Sequence, residues 1–185
     1  MTNIEILNSG KIMQNNIWDN KNLIKTLQGN GVVVMPTDTI YGIVGKAPEK
    51  NVVGRIYDIK RRNPEKPCII LIANTDELKK FGIKLTQNQK DILKELWPGP
   101  ISVILDHFAF RLPSPKPLRN LLLKTGPLIA PSANPEARLP SKNIEEAKEY
   151  FGNSVDLYID GGEFTSKASK LIKLNDDGSI IVLRE

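Results

Sequence analysis

Apolar positions recur along this chain in two alternating rhythms, one at helical spacing and one in short unbroken runs. Leu23, Ile24 and Leu27 mark a short helix closed by Gly29-Asn30-Gly31, and the run 32–35 that follows reads as a buried strand. Val52, Val53, Ile56 and Ile59 form the stripe of a second helix, which runs out at Lys60-Arg61-Arg62-Asn63-Pro64. A strand follows at 68–73, and Thr75-Asp76-Glu77 starts a short helix. Thr86 caps another helix through Ile92, Leu93 and Leu96 to Trp97, where Pro98-Gly99-Pro100 breaks it. Then come a strand at 101–105, a Leu-rich helix near 116–124 ending at Gly126, a short strand at 127–130 and a charged helix at about 143–151. Strands near 155–159, 170–174 and 179–184 complete the series. The pattern predicts an α/β domain built on a mixed sheet, with no repeat, low-complexity tract or linker.

Composition narrows the chemistry. A chain of 185 residues with 40% hydrophobic content suits one domain with a sizeable core. No apolar run reaches the length of a membrane span, and the Asn-rich start lacks a secretory pattern, so a cytoplasmic location is expected. Cys68 is the only cysteine and His107 the only histidine, which excludes an intramolecular disulfide, a cysteine-cluster metal site and a multi-imidazole zinc site. Hydroxyls, amides, cations or a loosely held metal remain as the working groups. The formal charge of +5 favours anionic partners such as nucleotides, phosphates or nucleic acid. Lys21, Lys25, Lys79, Lys80, Lys90 and Lys94 fall on the outer faces of the expected helices.

Three polar clusters sit where regular elements end. Pro36-Thr37-Asp38-Thr39-Ile40-Tyr41-Gly42 follows the strand at 32–35 as a turn carrying two hydroxyls, a carboxylate and a phenol. Taken alone it also reads as an Asx-type or Thr-capped turn. Lys60 and Arg62, at i and i+2, would share one side of an extended segment and suit a phosphate chain; they also read as a basic helix C-terminus that complements the macrodipole. Ser132 and Asn134 have the same spacing around small Ala133, and equally form a polar turn between two prolines. In an α/β sheet such clusters converge on one crevice beyond the strand ends.

These segments, together with Trp97-Pro98-Gly99-Pro100, Arg111-Leu112-Pro113, Pro131-Ser132-Ala133-Asn134 and Leu183-Arg184, occur in an order that resembles the YrdC/Sua5 family, the threonylcarbamoyl-AMP synthases. The likeness runs from about Leu23 to Arg184. It implies a single YrdC-like domain over 1–185, with a lead-in at about 1–20, a twisted mixed sheet flanked by helices and a central basic crevice. Ending at Arg184-Glu185, the chain resembles the short bacterial form.

The implied reaction joins L-threonine, bicarbonate or carbon dioxide, and ATP into threonylcarbamoyl-adenylate and pyrophosphate, for threonylcarbamoyladenosine modification of tRNA. The nucleophile belongs to the substrate, so the protein need only align anions and screen their repulsion. By resemblance, Lys60, Arg62, Ser132 and Asn134 are catalytic and, with Lys66 and Arg184, bind ATP; Thr37, Tyr41, Arg111 and Ser169 hold threonine. Magnesium is expected on the triphosphate with no protein metal ligand, and the product is expected to pass to the complex that transfers it to tRNA.

The chain departs from the family pattern at Pro135-Glu136-Ala137, where a small apolar residue and Ser-Gly are usual. Leu71 stands where the longer form carries a histidine, and Lys170 replaces a polar or acidic residue. Two other readings stay open: a double-stranded RNA or tRNA-binding module, against which the scattered aromatics speak, and a weakly active paralogue of the fold. The carbamoyl-transfer domain of hydrogenase maturation proteins belongs to a longer chain whose zinc-finger modules one cysteine cannot supply.

Overall fold

The structure is a computed structural model and describes residues 17–185, so the lead-in expected at about 1–20 lies outside the described residues as far as residue 16. Helix α1, Lys21–Gln28, starts at Asn20, whose side chain accepts from the Asn22 and Leu23 amides, and it buries Leu23 and Leu27. Strand β1, Val33–Pro36, is buried along its whole length because it is paired on both sides and covered on both faces.

The turn expected over 36–42 is shorter than that. Tyr41 and Gly42 already belong to strand β2, Tyr41–Lys46, which returns antiparallel to β1 with Pro36 opposite Tyr41. Only residues 37–40 connect the two strands. Glycines hid the strand signal, and packing explains them. A β-carbon on Gly45 would lie 2.4 Å from Val52 Cγ1, so its absence lets helix α2, Lys50–Lys60, lie against β2.

The remaining elements are β3 (Ile69–Leu71), a 3₁₀ helix (Thr75–Phe81), α3 (Gln87–Leu96), β4 (Ile101–Leu105), β5 (Phe108–Arg111), α4 (Lys116–Thr125), β6 (Leu128–Ile129), α5 (Ile144–Phe151), β7 (Leu157–Tyr158), β8 (Lys170–Leu174) and β9 (Ile180–Arg184). The pattern of the sequence did not predict β5. It is a four-residue strand joined to β4 by the two-residue link Asp106-His107, with Asp106 at φ 55°. The Thr86 cap is present as a reciprocal box with Gln89.

The strands form one mixed sheet in the order β7-β1-β2-β6-β3-β5-β4-β8-β9. Neighbours β1/β7, β3/β5 and β4/β8 run parallel and the rest antiparallel. Helices α1 and α4 cover one apolar cluster around Leu27, Leu71 and Leu122; α2 and α5 cover a second around Val34, Ile56 and Phe151. A third cluster, around Leu78, Leu93 and Phe110, packs under α3 and the 3₁₀ helix. No helix among the described residues is long and apolar enough to cross a membrane.

Candidate functional site

A cleft of about 210 Å³ lies across the face of the sheet. Ile69, Ala109, Arg111 and Leu171 form its floor, and three chain crossings wall it: the hairpin at Thr37–Gly42, the segment Ala130–Ser132, and Ala168-Ser169 with Arg184. The strand-end crevice expected from the sequence is thus a groove over the sheet, bounded by loops.

The structure brings Thr37, Tyr41, Arg62, Arg111, Ser132, Ser169 and Arg184 to this cleft. Thr37 closes the hairpin: its hydroxyl donates to the Ile40 carbonyl at 2.8 Å and faces Thr39 Oγ1 at 3.3 Å. Tyr41 contributes its ring, while its hydroxyl accepts from the Gly161 amide and donates to the Gly162 carbonyl, each at 2.9 Å. Burial pushes the Tyr41 phenol well above its ordinary range, so it stays protonated.

Arg111 comes from the end of β5. It is held by Asp38 Oδ1 at 2.7 Å, with longer contacts to Thr37 Oγ1 and Ser102 Oγ. Ser102, fully buried in β4, pairs with the Ser169 hydroxyl at 2.8 Å. Arg184 in turn donates twice to the Ser169 carbonyl, at 3.0 and 2.8 Å. Thr37, Asp38, Arg111, Ser102, Ser169 and Arg184 therefore form one connected polar network. Burial, then the charges of Arg111 and Arg62, lower the Arg184 guanidinium from its usual value. The three guanidinium-bearing residues all line this one cleft.

Asp38 and Ser102 were absent from the residues expected at the site. Asp38 was visible within the polar turn, but only the fold shows that it meets Arg111. Ser102 had a signal: a hydroxyl inside the apolar strand Ile-Ser-Val-Ile-Leu must find a buried partner.

Three expected site residues turn elsewhere. Lys60 and Arg62 do not share one side, because Lys60 is the last residue of α2 and Arg61 takes a left-handed φ of 52°. Arg62 bends to the cleft, its guanidinium resting on the Lys66 and Pro67 carbonyls at 3.2 and 3.1 Å. Lys60 is only 1% exposed, and its ammonium donates to the Ser132 and Asn134 carbonyls. It holds the 131–134 segment from behind. Burial, and after it the Arg62 charge, bring the Lys60 ammonium down to about 8.

Asn134 spends its amide on the Pro135 and Arg138 carbonyls, at 2.9 and 2.7 Å, while its side-chain oxygen is buried without a protein partner among the described residues. Lys66 is tied to Glu136, whose other oxygen accepts from the Asn63 amide at 2.9 Å. The departure at Pro135-Glu136-Ala137 has two local consequences. Glu136 clasps the loop after α2, and Lys66 with its hydrogen bond holds the Glu136 carboxyl below its usual range. Ala137 adopts a φ of 66°, a conformation that glycine takes at lower cost.

Of the four other buried side-chain atoms without a protein partner among the described residues, two, Asp38 Oδ2 and Arg111 Nε, belong to the ion pair that holds Arg111. Arg111 lines the cleft together with Arg62 and Arg184, while Asp38 lies behind it as the partner that holds Arg111. Three guanidinium groups suit a ligand that carries negative charge.

Comparison with known proteins finds relatives over most of the chain. A family model for Sua5/YciO/YrdC, described as "Telomere recombination", matches residues 25–185. A protein of Methanocaldococcus jannaschii named putative threonylcarbamoyl-AMP synthase is 31% identical over 176 residues, covering 88% of this chain and 83% of that protein. The threonylcarbamoyl-AMP synthase of Hahella chejuensis is 28% identical over 184 residues, covering 91% and 98% respectively. The crystal structure of P. abyssi Sua5 complexed with L-threonine superposes with a TM-score of 0.80 at 25% identity, covering 98% of this chain and 56% of that longer one. With the family model spanning nearly all of the described residues, the chain belongs to the Sua5/YciO/YrdC family.

Proposed function

We propose that this protein is a threonylcarbamoyl-AMP synthase, which joins L-threonine, bicarbonate or carbon dioxide, and ATP. The observation that carries the reading is the convergence of Arg62, Arg111 and Arg184 on one cleft whose walls otherwise offer hydroxyls and backbone groups. Three fixed cations with no Asp or Glu lining the cleft among the described residues favour a ligand with several negative charges.

In the reaction, a carboxylate oxygen of N-carboxythreonine attacks the α-phosphorus of ATP. The new phosphorus–oxygen bond forms as the bond to the bridging oxygen breaks, and pyrophosphate leaves with that electron pair. Arg62 and Arg184 sit to screen the approach of two anions and to stabilise charge on the transferring phosphorus. Thr37, Arg111 and Ser169 grip the amino acid. Arg111, held in place by Asp38, presents its guanidinium to the cleft and suits the carboxylate of an amino acid. Lys60 and Asn134 act from behind, by shaping the segment that presents Ser132.

Magnesium enters this reading on the triphosphate, where phosphate oxygens and water would hold it. Handover of the adenylate to a tRNA-modifying complex, in the cytoplasm, belongs to the same reading. Pyrophosphate release that requires both threonine and bicarbonate tests it; release independent of threonine argues against it.

A further inference from the structure

A second cavity, of about 640 Å³ against about 210 Å³ for the cleft, opens between the 3₁₀ helix Thr75–Phe81 and α3. Its floor is apolar: Leu78, Ile83, Leu93, Trp97 and Leu112 line it, each no more than 9% exposed. Its rim is cationic. Lys79, Lys84, Lys90 and Lys94 surround the opening, and Asp76 is the one acid among the lining residues.

Two of the lysines are locally neutralised. Lys79 pairs with Asp76 at 3.0 Å and Lys94 with Asp91 at 2.9 Å. Lys84 and Lys90 have no ion pair among the described residues, so the mouth carries net positive charge. The two halves of the cavity select for different parts of a ligand. A polyphosphate would leave the apolar floor wetted, an uncharged hydrocarbon would gain nothing from the rim, and a cation would be repelled. The volume lies in the range of small-molecule sites.

We propose that this cavity binds a small amphiphilic anion, with an apolar body against Leu93 and Trp97 and a single carboxylate at Lys84 and Lys90. The site is separate from the cleft, and the proposal does not rest on the reaction assigned there. The two nevertheless meet across one strand end. Leu112 lines the cavity and directly follows Arg111, which lines the cleft.

Dodecanoate, kept below its micelle concentration, is a direct probe, read by titration calorimetry and by Trp97 fluorescence on the full chain. The expected result is saturable one-to-one binding. It should weaken at least about tenfold in a Lys84→Glu/Lys90→Glu variant that keeps the wild-type melting temperature and threonine-dependent turnover. Dodecyltrimethylammonium, with the same chain and the opposite charge, should bind at least about tenfold more weakly than dodecanoate to the wild-type protein. Non-saturable binding, equal binding of the two amphiphiles, or binding insensitive to the charge reversal would overturn the proposal.

Discussion

Arg111 donates to Asp38 at 2.7 Å with both side chains almost completely buried, and this ion pair joins the tip of the β1–β2 hairpin to the end of β5. The two residues lie 73 positions apart, so the contact exists only once the sheet has closed. It fixes the guanidinium while leaving Nε, and the second Asp38 oxygen, without protein partners among the described residues.

Removing one member of such a pair strands the other charge in a dry environment. Asp38→Ala should therefore lower unfolding free energy by about 3–5 kcal/mol, measured by urea denaturation. Asp38→Asn, which keeps a hydrogen-bond acceptor, should lose less stability yet still raise the KM for threonine. A stability loss below about 1 kcal/mol for Asp38→Ala would show that the pair is solvated.

Thr37→Val should raise the KM for threonine more than the KM for ATP, because the hydroxyl both closes the hairpin on Ile40 and lies beside Arg111. The expected cost in stability is about 1–2 kcal/mol for the lost buried hydrogen bonds. The reverse order of KM effects would move the hairpin to the nucleotide side.

Lys60 makes the account sensitive to pH. Its ammonium, brought down to about 8 by burial, loses its proton in the folded protein well before it does so unfolded, where the ordinary value is 10.5. The unfolded chain then binds more protons between about pH 8 and 10.5, and Lys60's contribution to stability rises with pH through that window. Anion binding moves the other way. Affinity for a non-hydrolysable ATP analogue, measured by calorimetry, should fall above pH 8 as the charge behind Ser132 disappears. In Lys60→Met that ionisation should be absent; an unchanged profile would assign it to another group.

Glu136 places a negative charge beside Lys66 and Arg62 in this chain, and Glu136→Gln retains an oxygen that can accept from the Asn63 amide. The variant should bind ATP about two- to fivefold more tightly at low salt, with a smaller gain at high salt because the group is partly exposed. Weaker binding would show that Glu136 matters mainly as a clasp that holds the loop after α2.

Much of this was legible in the residues themselves. Helices α1, α2 and α3 announced themselves through periodic apolar positions closed by caps and breakers, and β1 through the apolar run 32–35. Strands β2 and β5 did not. Glycines broke the alternation of β2, and their reason, the close approach of Val52 to Gly45, is a tertiary fact. For the site, the residues themselves pointed to Arg62 and the family resemblance to Arg111 and Arg184, and the cleft gathers all three. The sequence could not give the direction of Lys60. A lysine two residues from Arg62 reads as its companion until a left-handed Arg61 turns the chain between them. Asp38 and Ser102 were likewise plain as residue types, but their partners come from distant strands.

Arg62 tests the division of labour within the cleft. Its guanidinium donates to two backbone carbonyls of its own loop and also approaches the Tyr57 hydroxyl and the Cys68 thiol, so Arg62→Ala should cost no more than about 1–2 kcal/mol in stability. Turnover should fall by at least about a hundredfold if the side chain stabilises charge on the transferring phosphorus. Near-wild-type turnover would remove it from the site.

The most direct measurement is mass spectrometry of the products formed by the purified protein from ATP, magnesium, L-threonine and bicarbonate. The account predicts threonylcarbamoyl-adenylate and pyrophosphate in equal amounts, with neither formed when threonine or bicarbonate is left out. Pyrophosphate without the adenylate, or no turnover from a folded protein that binds ATP and threonine, would contradict it.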